Sequence, residues 1–95
     1  VELRYSARAQ RYLLYGSIRW STFHAASADL FDHEVMRVLN LVRLQPRMGR
    51  RTTRYRGARV LVLVDIEHLV FYRVHRRYIA ILAVLPSRAQ RASLR

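Results

Sequence analysis

The spacing of apolar and polar positions changes character along the 95 residues of this chain. Val1 to Tyr5 alternates, with Val1, Leu3 and Tyr5 on one side and Glu2 and Arg4 on the other, which predicts a short strand. Ser6 stands where an N-cap belongs, and a first helix is expected over residues 7–23. Tyr12, Leu13, Leu14, Tyr15, Ile18 and Trp20 give that helix a broad apolar face. The segment Ala25 to Asp29 breaks the pattern, with Ser27 as a second candidate cap and Asp29 suited to a first helical turn. Phe31, Val35, Val38, Leu39 and Val42 then recur at helical spacing, and Pro46 closes this second helix. So short a link predicts an antiparallel helical hairpin.

Beyond residue 58 the pattern is that of strands. Arg59 to Val64 is β-branched and apolar, Asp65 to His68 reads as a turn, and Leu69 to Val74 is a second strand. His75 to Arg77 is another turn, and Tyr78 to Leu85 a third strand that Pro86 ends. The order β-α-α-β-β-β predicts one α+β domain over residues 1–95, with an N-terminal strand, a helical hairpin and a three-stranded antiparallel meander. Its parts are the strand 1–5, the hairpin 6–46, a basic connection 47–58, the sheet 59–85 and a basic tail 86–95, with both helices on one face of the sheet. Val60–Val64 and Ile79–Leu85 are apolar without alternation, as in strands buried on both faces. One hairpin covers only one face. The second cover is expected from the tail, another subunit or a partner, so the chain is read as part of a complex.

Composition sharpens this. At 52% apolar residues the chain can build a core, and with no cysteine it has neither disulfides nor thiolate metal sites. No apolar run is long enough for a membrane span, and the N-terminus lacks a signal-peptide core, so a cytoplasmic protein with no membrane role is expected. The formal charge is +12, from eighteen arginines, no lysine and six carboxylates. A field of that sign favours fast, salt-sensitive association with something acidic, and the arginine fork pairs carboxylates and phosphates equally well. The densest run, Arg43 to Arg59, holds seven arginines in seventeen residues and no carboxylate. Arg88, Arg91 and Arg95 form a second cluster, which would share a surface with Arg59 if the tail lies beside the strand that Arg59 opens.

Catalytic patterns do not emerge. There is no Gly-x-Ser-x-Gly, no phosphate-binding glycine loop and no facing pair of carboxylates. His24, His33 and His75 are isolated, and Asp65, Glu67 and His68 diverge as turn residues do, so no catalytic group, metal or cofactor is expected. Phe71 and Tyr72 point to opposite faces, which is not an RNA-stacking platform.

Pro46-Arg-Met-Gly49, the lone Arg59 before an apolar strand, and His68-Leu-Val-Phe-Tyr-Arg-Val74 resemble the ParE/RelE toxins of bacterial toxin–antitoxin operons. Ile79 to Leu85 followed by a basic segment is similar to that family's last strand. The resemblance implies a compact toxin neutralised by an antitoxin with an acidic, amphipathic C-terminal segment. It further implies one of two activities: RelE-like cleavage of mRNA on the ribosome, or ParE-like inhibition of DNA gyrase. The nuclease branch carries basic side chains on the sheet and a tyrosine in its C-terminal segment, whereas this chain has Val60 to Val64 in that strand and no tyrosine after Tyr78. The ParE branch is therefore expected, with RelE-like endoribonuclease as the first alternative and a non-toxic basic nucleic-acid-binding module as the second. Arg59, Arg88 and Arg91 are the residues expected to contact the target; Arg50, Arg51, Arg54, Arg56, Tyr12 and Trp20 are expected to hold the antitoxin. One departure lies in the segment that the family links to toxicity, where an Arg-Val-Leu-His type ending is replaced by Ala83-Val-Leu-Pro86.

Overall fold

Ser6 does two jobs at the start of the first helix. Its Oγ accepts the Ala9 N–H at 2.9 Å, an N-cap of the kind that stabilises a helix by about 1 kcal/mol. The same hydroxyl donates to the Leu82 carbonyl at 3.1 Å, and the Ser6 N–H donates to the Ile81 carbonyl at 3.1 Å. The computed structural model that shows this describes residues 1–87; Arg88, Arg91 and the remainder of 88–95 in the expected basic tail lie outside the described residues.

The chain runs β1 (Glu2–Tyr5), α1 (Ala7–Phe23), a 3₁₀ turn (Ala25–Ser27), α2 (Leu30–Leu44), β2 (Arg50–Thr52), β3 (Ala58–Leu63), a 3₁₀ turn (Val64–Ile66), β4 (His68–Val74) and β5 (Tyr78–Pro86). The fold is α+β with one five-stranded sheet in the order β1-β5-β4-β3-β2. The meander β3-β4-β5 is antiparallel as expected, and β1 joins it parallel to β5.

Two local expectations change. The connection contains an unexpected edge strand, β2, whose Arg51 lies opposite Arg59. Arg50-Arg-Thr52 has no apolar alternation to announce a strand; it forms one because tertiary contacts hold it beside β3. Ser27 does not cap α2. It ends a 3₁₀ turn, where its carbonyl accepts the Trp20 indole N–H at 2.9 Å, and Asp29 occupies the N-cap position without a side-chain hydrogen bond.

The main core lies between the helices and the sheet. Phe31, Val35, Val38, Leu39 and Val42 of α2 meet Leu63, Val70, Tyr72, Ile79, Ile81 and Val84. Gly16 of α1 lets the Phe31 ring approach; a Cβ there would sit 2.4 Å from its Cζ. A smaller cluster of Val60, Leu69, Phe71, Ala83 and Leu85 occupies the opposite face, with Tyr55 set edge-on to Phe71 at 5.1 Å. β5 serves both clusters because Leu82 is a bulge: Phe71 pairs with Ala83 while Tyr72 pairs with Ile81. Ile79 and Ile81 therefore face the helices, and beyond the bulge Ala83 and Leu85 face the other way. The carbonyls of Ile81 and Leu82 at this irregularity are the two that Ser6 satisfies.

His68 packs edge-on against Phe31 at 5.0 Å, and its Nδ1 donates to the Ile66 carbonyl. Burial pushes the imidazole below its ordinary value, opposed by that hydrogen bond and by the Glu67 charge. The unfolded chain then takes up a proton at higher pH than the folded chain. Stability is fully present above the unfolded value of about 6.5 and falls as pH drops below it, levelling off under the folded value. Thermal melts at about pH 7.5 and pH 5.5 should show a loss that His68→Gln diminishes. An equal loss in both proteins would place the acid sensitivity elsewhere.

Candidate functional site

The basic connection is not a free linker. Tyr72 is fully buried, and its hydroxyl donates to the Pro46 carbonyl at 2.7 Å while accepting the Gly49 N–H at 2.8 Å. Burial raises the phenol above its ordinary value, which keeps the donating proton in place; the Gly49 hydrogen bond and the Arg59 charge oppose this. From the neighbouring strand, Arg59 Nη1 donates to the Gly49 carbonyl at 2.8 Å and to the Arg47 carbonyl at 3.3 Å. Further along, Arg73 Nε donates to the Arg56 carbonyl at 2.8 Å. The residues that carry the family likeness (Pro46, Gly49, Arg59, Tyr72 and Arg73) are thus one set of hydrogen bonds that straps the connection onto the sheet.

Strapping the connection sorts its arginines. Arg51 and Arg59, cross-strand partners, line with Arg47 a cleft of about 550 Å³ completed by Thr52, Gly57, Ala58 and Val74. Arg50 is one residue along the strand from Arg51, so alternation turns it to the opposite face. Arg54 lies with its guanidinium 5.8 Å from the Tyr55 ring centre, and Arg56 is exposed. Arg50, Arg51, Arg54 and Arg56 therefore share one exposed connection but not one face. Tyr12 and Trp20 lie elsewhere, on α1. Tyr12 is half-buried against both clusters; Trp20 stacks on His24 at 3.8 Å and donates its indole N–H to Ser27.

The charge is largely uncompensated. Two ion pairs form among the described residues, Arg4–Glu2 and Arg37–Glu34. The second binds both Glu34 oxygens, and the hydrogen bond from Arg37 holds that carboxyl below its usual range. Both pairs lie away from the cleft, and from Val35 to Val64 the chain carries eight arginines and no acidic residue.

A second surface is one that the sequence pattern alone did not separate. On α1 the apolar residues divide: Ala9, Tyr12, Leu13 and Trp20 pack inward, while Leu14, Tyr15 and Ile18 are 58%, 63% and 53% exposed. Their i, i+3 and i, i+4 spacing was the available signal, hidden because α1 is apolar around much of its circumference. Only Ala9 of α1 is buried, against six residues of α2. Arg11 and Arg19 flank the stripe, and α1 has no acidic residue. Among the described residues no three His, Cys, Asp or Glu side chains gather as a metal site, and no helix is long and apolar enough to cross a membrane.

Among curated proteins no relative matches the chain. Among solved structures, a chain of the chromosomal ParDE toxin–antitoxin system from P. aeruginosa has the same fold, with a TM-score of 0.66 at 17% identity, over 90% of this chain and 95% of that one. The family described as the ParE toxin of type II toxin–antitoxin systems, parDE, matches residues 1–91. A fold in which the Pro46–Gly49 turn, Arg59 and Tyr72 interlock, matched by that family over nearly its whole length, makes this chain a member of the ParE toxin family.

Proposed function

We propose that this chain inhibits DNA gyrase and is held inactive by a cognate antitoxin whose acidic, amphipathic C-terminal segment wraps it, in the cytoplasm. Membership of the ParE family carries the reading, and the state of Arg59 favours it over RNA cleavage. Cleavage at a 2′-hydroxyl needs a group that can take up a proton and another that can give one. Arg59 is the sole basic residue of β3, and its Nη1 is engaged by two backbone carbonyls. Arg59, Arg88 and Arg91 are the proposed target contacts, the last two outside the described residues.

For the antitoxin the α1 stripe is the better-defined seat: an amphipathic helix could cover Leu14, Tyr15 and Ile18 while its carboxylates meet Arg11 and Arg19. Arg50, Arg51, Arg54 and Arg56 remain proposed electrostatic contacts, with Tyr12 and Trp20 supporting the helix from within. That the similar solved structure is a ParDE system supports a partner of this kind. The decisive experiment is a supercoiling assay with purified gyrase. The chain should abolish supercoiling, and the product of the neighbouring gene should restore it. Normal supercoiling together with codon-positioned mRNA cuts after induction would turn the reading to a ribosome-dependent nuclease.

A further inference from the structure

We infer that the cleft lined by Arg47, Arg51 and Arg59 is a binding site for the phosphodiester backbone of a nucleic acid. This goes beyond gyrase inhibition and does not depend on it. Three arginines line one cleft to which no carboxylate contributes, and neither ion pair of the described residues involves them. Like charges so placed repel, and an anion that enters is bound by removing that repulsion.

Size and preorganisation point to phosphate. A lone carboxylate is satisfied by one bidentate arginine, whereas about 550 Å³ has room for a sugar-phosphate unit that meets several. Arg59 is ordered before any ligand arrives, because Gly49 and Arg47 hold its Nη1 and leave Nε and Nη2 to donate. Tyr55, the aromatic residue of the connection, packs edge-on to Phe71 and is not among the residues that line this cleft. The site should therefore track the backbone and not read bases. Arg51 is also a proposed antitoxin contact, so an acidic segment and a phosphate backbone would compete for it.

The test uses the full chain and fluorescence anisotropy, with a labelled DNA duplex of about 20 base pairs and a single-stranded RNA of equal length, across a salt series. Arg47→Gln/Arg51→Gln should weaken binding by at least about tenfold and lower the slope of log K against log salt by about 1.5–2. Neither side chain makes a hydrogen bond in the described fold, and a melting curve checks that folding is intact; Arg59 is left in place because it pins the connection. Arg8→Gln/Arg76→Gln removes the same charge from other elements and should cost less than about threefold. Loss on duplex alone identifies DNA, and loss on the single strand alone identifies RNA. Absence of nucleic-acid binding by the parent, or equal losses from both double variants, would overturn the site. So would a loss confined to an acidic peptide such as poly-glutamate, which would make the cleft a carboxylate seat.

Discussion

Gly49→Ala is expected to lower the melting temperature by about 10–20 °C, through a destabilisation of about 2–4 kcal/mol. The cause is space, not backbone conformation. A Cβ at position 49 would lie 2.5 Å from the Tyr72 hydroxyl oxygen, 2.8 Å from Cε1 and 2.9 Å from Cζ. None of these is the free end of a flexible chain, for the ring is fully buried and its hydroxyl is bonded to Pro46. To admit the methyl group, the turn or the ring must move; moving either strains the Gly49 N–H bond to Tyr72, and moving the turn also disturbs the Arg59 bond to the Gly49 carbonyl. Tyr72→Phe alone should cost about 1–3 kcal/mol, because it leaves the Gly49 N–H and Pro46 carbonyl unpaired. The double variant should cost less than the sum, since the hydroxyl is the nearest clashing atom. Differential scanning calorimetry of the three variants measures this directly. A Gly49→Ala melt within a degree or two of the parent would mean that the turn is slack. Gly57 is the contrasting case: there the nearest atom to an added Cβ is 3.9 Å away, and the restriction is its φ of +68°.

The second large effect concerns neutralisation. Leu14→Asp/Ile18→Asp should reduce antitoxin affinity by two orders of magnitude or more and leave toxicity unchecked by the antitoxin. A hundredfold loss is about 2.7 kcal/mol, which the loss of two central apolar contacts together with the repulsion of an acidic partner by two new carboxylates would supply. Both side chains are more than half exposed, so the fold should survive. Arg54→Glu/Arg56→Glu should weaken the same complex by about tenfold, mainly through the association rate, with an effect that shrinks in high salt. Titration calorimetry with the co-expressed antitoxin separates the contributions. Full affinity in the α1 variant would remove the antitoxin from this helix, and full affinity in the arginine variant would return residues 54–56 to solvent.

Legibility varied with the physics. α1 could be read to its ends because Ser6 and the apolar run are local signals, and helix formation is governed by local terms. β2 could not, since Arg50-Arg-Thr52 has no apolar pattern and depends on its pairing with β3 and on the strap that Arg59 and the distant Tyr72 make with Gly49 just before it. The bulge at Leu82 was equally hidden: a continuous apolar run gives no parity from which a slip could be noticed. For the site, arginine density was visible, but its division was not. Which arginines converge depends on strand alternation in a strand that was itself unseen, and on a strap that turns Arg47 and Arg59 together. Arg59 shows the gap well. Its isolation before an apolar strand marked it as special, and the hydrogen bonds to Gly49 and Arg47 give it a structural duty alongside any contact with a target.

Ser6 also sets an order of events during synthesis. The cap that starts α1 uses the same hydroxyl that satisfies the Leu82 carbonyl, 76 positions later in the chain. β1 and α1 emerge from the ribosome first, yet β1 has no strand partner until β5 is made, and α1 exposes its sheet-facing residues until then. Contacts so far apart in sequence close late. The Ser6 bonds to Ile81 and Leu82 therefore form only after nearly all of the described chain has been translated, and until then the sheet-facing side of α1 stays open. On the proposed reading, an antitoxin already present would have that interval in which to meet α1 before the fold closes.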